Sequence, residues 1–151
     1  MADRLHSLSL VVRILVVDDE PAIRALVARI AQRAGFDVDV ARDGVEAIAK
    51  LDDGRFEVMI LDLMMPNVDG YGVIEHVRTS GGQHPAIILI SAADSAAFRR
   101  VDGSIVHSII RKPFDIDVLG DLITAAARAR DNEATKAGDG DLLQFPRGQV
   151  C

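Results

Sequence analysis

Residues 56–70 read FEVMILDLMMPNVDG, and this stretch decides the fold that the sequence predicts. The apolar run Val58–Leu61 is typical of a central parallel strand covered on both faces, and Pro66 with Asp69-Gly70 indicates a turn after it. Asp62 is therefore expected at the carboxyl end of a buried strand. Ligands of open α/β sheets bind at that edge, so the residues that the other strands bring there should decide the function.

Four further segments are predicted to form strands of the same sheet. They are Val11–Val17, Phe36–Val40, Ala86–Ile90 and Ile105–Ile110. Apolar residues at helical spacing follow each strand, with a fourth helix over Ala92–Val101 and a last one that ends near Arg130. Strands that alternate with helices indicate an α/β fold. We predict a doubly wound, five-stranded parallel sheet in the flavodoxin-like order 2-1-3-4-5, with helices on both faces.

Composition indicates one domain with an aliphatic core, because 49% of the 151 residues are hydrophobic and only 4% are aromatic. We assign residues 1–11 to an N-terminal extension, 12–130 to the domain and 131–151 to a flexible C-terminal tail, which mixes Gly, Asp, Lys and Asn. No output domain is evident after Arg130. Direct transcriptional control is therefore not expected of this sequence.

Charge and cysteine content exclude several classes of protein. The formal net charge of −6 argues against a sequence-independent nucleic-acid binder, whose surface would be basic. The single cysteine, Cys151, excludes an internal disulfide framework and a cysteine metal cluster. No apolar run is long enough to span a membrane, so we expect a cytoplasmic protein without membrane contact.

Polar side chains are predicted to meet where four of these strands end: Asp18, Asp19, Asp62, Ser91 and Lys112. Three crowded carboxylates repel one another unless a cation neutralises them. Mg²⁺, or another divalent cation such as Mn²⁺, suits oxygen ligands and would be held by Asp19 and Asp62 with room for a phosphate. Lys112 and Ser91 would then surround a phosphoryl group on Asp62, a nucleophile that needs no activating base.

The same motifs resemble the receiver domain of two-component response regulators over residues 12 to about 130. They are Asp18-Asp19-Glu20-Pro21, residues 62–70 (DLMMPNVDG), Ser91-Ala92 and Lys112-Pro113-Phe114, each at a strand end and in the family's order. The resemblance implies a signalling domain that catalyses only its own phosphorylation and dephosphorylation, with a histidine kinase or histidine phosphotransfer protein as the phosphoryl donor. It implies a downstream protein partner, and a monomer or a phosphorylation-dependent homodimer.

The resemblance also implies roles for individual residues. Asp62 would accept the phosphoryl group, Lys112 would pair with it, and the Lys112-Pro113 bond would be cis. Mg²⁺ would be bound by Asp19, Asp62 and the backbone carbonyl of Met64, with Asp18 acting through water. Ser91 would engage the phosphoryl group as the switch hydroxyl. Apart from the resemblance, the side chain of Met64 is expected to shield the acyl phosphate from water, because Met64 follows Asp62 by two residues.

One position departs from the family's pattern. Receivers usually carry Tyr or Phe three residues before the lysine, and here Ile109 stands there. Isoleucine has no ring that could reorient when Ser91 engages the phosphoryl group. We therefore predict that the output depends on movement of the loop after Ser91, and we treat Ile109 as a second switch position.

Two alternatives to the phosphorylation switch remain open. A receiver-like interaction scaffold that works without phosphorylation is compatible with Ile109. A phosphatase with an aspartyl-phosphate intermediate would use similar chemistry on Asp62, but that class usually has a second Asp two residues later, where this sequence has Met64. Asp18–Glu20 could also simply cap a helix and complement its dipole, which is a common use of acidic residues before a proline such as Pro21.

Overall fold

The computed structural model describes residues 12–65, 67–92, 98, 99, 101 and 103–130. Its strands are β1 (Arg13–Val17), β2 (Asp37–Ala41), β3 (Val58–Asp62), β4 (Ala86–Ser91) and β5 (Val106–Arg111). They form one five-stranded sheet in the order β2-β1-β3-β4-β5, and every neighbouring pair is parallel. The predicted strand order is confirmed, and β3 lies at the centre with all its residues buried.

The helices that the structure describes are α1 (Pro21–Arg33), α2 (Gly44–Asp53), α3 (Gly70–Thr79) and α4 (116–130). One core cluster joins the sheet to α1 and α4, and a second joins its other face to α2 and α3. Helices therefore cover both faces, as predicted. Of the helix predicted over Ala92–Val101, residues 93–97 and 100 lie outside the described residues, and residues 98 and 99 are helical.

The loop between β3 and α3 closes tightly against the strand that it follows. Asp69 accepts a hydrogen bond from the backbone of Gly72 at 3.1 Å and so caps α3, and the Gly70 N–H donates to the Leu63 carbonyl at 2.8 Å. A Cβ atom at Gly70 would lie 2.6 Å from the Cα atom of Leu63. Glycine is needed here because no side chain fits between the helix start and the end of β3.

Neither predicted terminal segment can be compared with the structure. Residues 1–11 and 131–151 lie outside the described residues, so the extension and the tail stay predictions. Among the described residues, no helix has the length and apolar character needed to cross a membrane.

Candidate functional site

Asp62 is the last residue of β3 and is only 3% exposed. Its Oδ1 atom accepts a hydrogen bond from the backbone N–H of Met64 at 3.2 Å. Its Cα partner in the sheet is Ile90 of β4, one residue before Ser91. The buried central strand therefore holds this carboxylate at the carboxyl edge of the sheet, where the sequence predicted it.

Asp18 and Asp19 follow β1 and reach the same point. Asp18 is fully buried and Asp19 is exposed, and carboxylate oxygens of these two residues and of Asp62 all lie within 4.8 Å of one another. The turn is fixed by two contacts to Asp18: its Oδ1 accepts from the Glu20 backbone N–H at 2.9 Å, and its carbonyl accepts from the Arg24 guanidinium at 2.9 Å. The sequence thus correctly predicted which three carboxylates meet.

Burial, together with the charge of this cluster, changes the pKa of Asp62. Burial, and in second place the nearby charge of Asp18, raises the pKa of Asp62 to about 6, although Lys112 and the Met64 N–H favour the charged form. A divalent cation would remove this repulsion. A set made only of carboxylate oxygens fits a hard ion such as Mg²⁺.

Lys112 follows β5 and places its ammonium group among three carboxylates. The Nζ atom lies 3.0 Å from Asp18 Oδ2, 3.1 Å from Glu20 Oε1 and 3.4 Å from Asp62 Oδ2. Burial by itself would lower the pKa of Lys112, but contacts with these carboxylates outweigh it and hold the pKa above its usual value. The lysine is therefore a permanent cation beside Asp62.

The backbone around Lys112 connects it to the neighbouring strand. Its N–H donates to the carbonyl of Ser91 at 3.1 Å, and the Lys112-Pro113 bond is cis, as the resemblance implied. The contact with Asp18 is an ion pair rather than a well-directed hydrogen bond, because Asp18 Oδ2 accepts none within the described part of the chain. The end of β5 is thus tied to the end of β4.

Ser91 and Met64 lie at the same sheet edge, with opposite exposure. Ser91 ends β4 and is fully buried, whereas Met64 follows Asp62 by two residues and is 56% exposed. The predicted hydroxyl contact of Ser91, the ligating carbonyl of Met64 and the shielding by its side chain stay predictions.

Ile109 lies away from the carboxylates, on the outer part of β5. It pairs in register with Leu89 of β4 and is 47% exposed. With Phe98, Val101 and Val106 it lines a shallow cavity of about 380 Å³. The departure from the family's pattern therefore concerns an exposed apolar position beside the segment that follows β4.

Glu20 is the site residue that sequence reasoning missed. Its carboxylate meets Lys112 across 92 positions of sequence, whereas sequence reasoning placed it only next to Asp19. Its position directly after two functional acids was the available signal. A helix-capping role was the simpler interpretation, because Pro21 follows it.

Comparisons with known proteins agree with this geometry. The sequence model of the family described as "Response regulator receiver domain" matches residues 14–124. The transcriptional regulatory protein TrcR of Mycobacterium tuberculosis is 43% identical over 110 residues, which cover 72% of this chain and 42% of TrcR. The response regulator MprA of Mycobacterium ulcerans is 35% identical over 136 residues, which cover 89% of this chain and 58% of MprA. The chain spans about half the length of these curated relatives.

A solved structure extends the comparison to the fold. The response regulator protein TrrA of Thermotoga maritima, in complex with Mg(2+)-BeF, matches with a TM-score of 0.68 and 33% identity, over 76% of this chain and 98% of that chain. The family match alone covers well over half of the sequence. The chain therefore belongs to the response regulator receiver domain family, whose general role is that of a phosphorylation-dependent switch in two-component systems.

Proposed function

We propose that this protein accepts a phosphoryl group on Asp62 from a histidine kinase or a histidine phosphotransfer protein. The observation that carries the proposal is the convergence of Lys112, Asp18 and Asp19 on a buried carboxylate at the carboxyl edge of the sheet. A carboxylate forms an acyl phosphate directly, so no general base is required.

The transfer forms one bond from phosphorus to a carboxylate oxygen of Asp62 and breaks the bond from phosphorus to the donor's imidazole nitrogen. Lys112 would pair with the phosphoryl oxygens, and the hydroxyl of Ser91 would donate to one of them. Asp19, Asp62 and the Met64 carbonyl would hold Mg²⁺ or Mn²⁺, with Asp18 acting through water. The cation supplies neutralisation of the charge on the phosphoryl oxygens when it is bound.

The output would pass through a protein partner. Phosphorylation adds a charge of about −1.5 to −2 at Asp62, and β5 leads from Lys112 to the exposed Ile109. We propose that the segment 92–101, β5 and α4 form the surface that responds. The protein would act in the cytoplasm as a monomer or a phosphorylation-dependent homodimer. It would have no enzymatic activity beyond its own phosphorylation and dephosphorylation.

TrcR is named a transcriptional regulatory protein, but we propose that this chain itself does not bind nucleic acid. Its formal net charge of −6 supports this, because contact with phosphates requires a basic surface. Binding of the phosphorylated chain to DNA in a mobility-shift assay would contradict it.

A phosphodonor assay tests the acceptor. The protein is incubated with acetyl phosphate and Mg²⁺, and its intact mass is measured for the wild type, for Asp62→Asn and for Asp53→Asn, which removes an exposed carboxylate at the end of α2. We expect one phosphoryl group on the wild type and on Asp53→Asn, and none on Asp62→Asn. Equal modification of Asp62→Asn would contradict the proposal.

The same assay separates the two alternatives. Rapid hydrolysis of several phosphoesters would favour an aspartyl-phosphate phosphatase. A wild-type protein that acquires no phosphoryl group would favour the interaction scaffold that works without phosphorylation.

A further inference from the structure

We infer that the Glu20 carboxylate competes with the phosphoryl group on Asp62 for Lys112 and so weakens the phosphorylated state. The inference rests on the proposed function, because it concerns the lysine that would receive the phosphoryl oxygens. Glu20 would act as a positioning residue, through Lys112, rather than as a catalytic residue.

The conformation of Glu20 gives the first argument. Glu20 is the N-cap residue of α1, yet its side chain makes no capping hydrogen bond. The carboxylate instead lies 3.1 Å from the Nζ atom of Lys112, the residue that follows β5. Its backbone N–H is held by Asp18 Oδ1 at 2.9 Å, so the residue is anchored while its side chain turns to the lysine.

The three carboxylates around Lys112 are not equivalent. The side chains of Asp18 and Asp62 are 1% and 4% exposed, and both belong to the cluster suited to a divalent cation. The side chain of Glu20 is 60% exposed and lies outside that cluster. A cation bound by the cluster would therefore neutralise the charges of Asp18 and Asp62. Glu20 would still have Lys112 as its partner.

Lys112 Nζ donates to Glu20 Oε1 at 3.1 Å and to Asp62 Oδ2 at 3.4 Å, so the contact with Glu20 is the shorter of the two. Phosphoryl oxygens on Asp62 would attract the same ammonium group. Glu20 would share the single charge of Lys112 with them, whereas a neutral side chain there would leave the lysine to the phosphoryl group. Exposed ion pairs contribute modestly, so the competition should change the affinity for the phosphoryl group by about 1.5- to 5-fold.

The test measures the affinity for beryllofluoride, a phosphoryl mimic, in saturating Mg²⁺. Glu20→Gln removes the charge. Glu20→Asp keeps the charge but shortens the side chain, and Asp is a favourable N-cap, so its carboxylate has the start of α1 as an alternative partner. Glu75→Gln is the matched control, because Glu75 is an exposed carboxylate paired with Arg78 on α3.

We expect both Glu20 variants to bind beryllofluoride about 1.5- to 5-fold more tightly than the wild type, and Glu75→Gln to bind as the wild type does. Tighter binding by Glu20→Gln alone would show repulsion by charge instead of a contact with Lys112, and would overturn the inference. Unchanged or weaker binding by both variants would overturn it as well.

Two controls separate this inference from the proposed function. Mg²⁺ affinity, titrated alone, should stay equal or fall in Glu20→Gln, since a negative charge near the cation is lost. A rise would mean that the variant acts through the metal site, and would contradict the inference. If the wild type showed no Asp62-dependent binding of beryllofluoride, the proposed function would fail. If it bound but the Glu20 variants did not differ from it, only the inference would fail.

Discussion

The carboxylate edge of the sheet, with Asp18, Asp19 and Asp62, differs from the surface of β5 (Val106–Arg111). The two regions differ in burial, in charge and in the contacts that hold their side chains. At the edge, Asp18 and Asp62 are buried, and both the backbone and Lys112 hold them in place. On β5, intermediate and exposed residues alternate, and Ile109 is 47% exposed. The edge is therefore fixed by the fold, whereas the β5 surface can vary without disturbing the core.

This difference separates the reception of a signal from its transmission. Buried charged groups must keep their partners, because an unpaired buried charge lowers the free energy of unfolding by roughly several kcal/mol. An exposed apolar side chain carries no such requirement. A receiver that works as proposed could therefore retain its phosphorylation chemistry while the surface read by its partner changes, and on that proposal Ile109 would be an instance of such a change.

The largest effect is expected from removing the lysine. Lys112→Ala leaves Asp18 and Asp62 facing each other without a cation, and in Mg²⁺-free buffer at neutral pH it should lower the free energy of unfolding by about 3 kcal/mol. Urea unfolding measures this. Lys50→Ala is the control, because the Lys50–Asp39 pair is partly exposed and should contribute about 1 kcal/mol or less. An equal loss of unfolding free energy in the two variants would show that the buried carboxylates depend on Lys112 no more than Asp39 depends on Lys50.

A smaller effect of opposite sign is expected from Asp62→Asn. The pKa of Asp62 is about 6 in the folded chain against 3.8 for the ordinary group, so the folded state binds the proton more tightly. Without metal, stability should therefore fall as the pH rises from 3.8 through about 6. Asp62→Asn should lack this decline and be more stable at neutral pH by roughly 2 to 3 kcal/mol. Urea unfolding over this pH range measures both.

The pH experiment has a clear contradictory outcome. A wild-type protein whose stability rises over the same pH range would mean that Asp62 is stabilised as an anion, and that attraction by Lys112 outweighs burial and Asp18. Asp53→Asn, at the exposed end of α2, should follow the wild-type profile.

Metal binding should stabilise the edge by a smaller amount. If Asp19 and Asp62 hold Mg²⁺, a concentration roughly ten times the dissociation constant adds about 1.4 kcal/mol to the folded state. Thermal unfolding at increasing Mg²⁺ should show a rising midpoint for the wild type and for Asp53→Asn. Asp19→Asn should show little or none. A midpoint of the wild type that does not respond to Mg²⁺ would argue against the site.

The sequence predicted the edge better than it predicted the outer surface, for a physical reason. Strand ends are set by apolar runs and turn residues, and right-handed crossovers then fix which ends meet, so Asp18, Asp62 and Lys112 could be placed together. The predicted strand Ile105–Ile110 carried no sign of its place in the sheet, whereas β5 pairs only with β4 among the described strands, so its residues alternate in exposure. That β5 is the outermost of the described strands is a tertiary property, which its apolar run does not reveal.

Two smaller differences have the same origin. The strand predicted over Phe36–Val40 is Asp37–Ala41 in the structure, because Arg13 of β1 pairs in register with Asp37. The Glu20–Lys112 contact depends on the rotamer of a side chain that is 60% exposed. Neither periodicity nor a motif determines a rotamer, so only the structure identified this contact.

The smallest effect is expected at Ile109. Ile109→Ala and Ile109→Tyr change an exposed side chain, so the free energy of unfolding should change by about 0.5 kcal/mol or less, as for Val45→Ala on α2. If movement of the loop after Ser91 carries the signal, beryllofluoride should still shift the amide resonances of Ala92, Phe98 and Val101 in both Ile109 variants. These shifts are measured by NMR with and without the mimic. Their absence in the wild type would contradict movement of the loop, and their loss in Ile109→Ala alone would show that transmission requires the side chain at position 109.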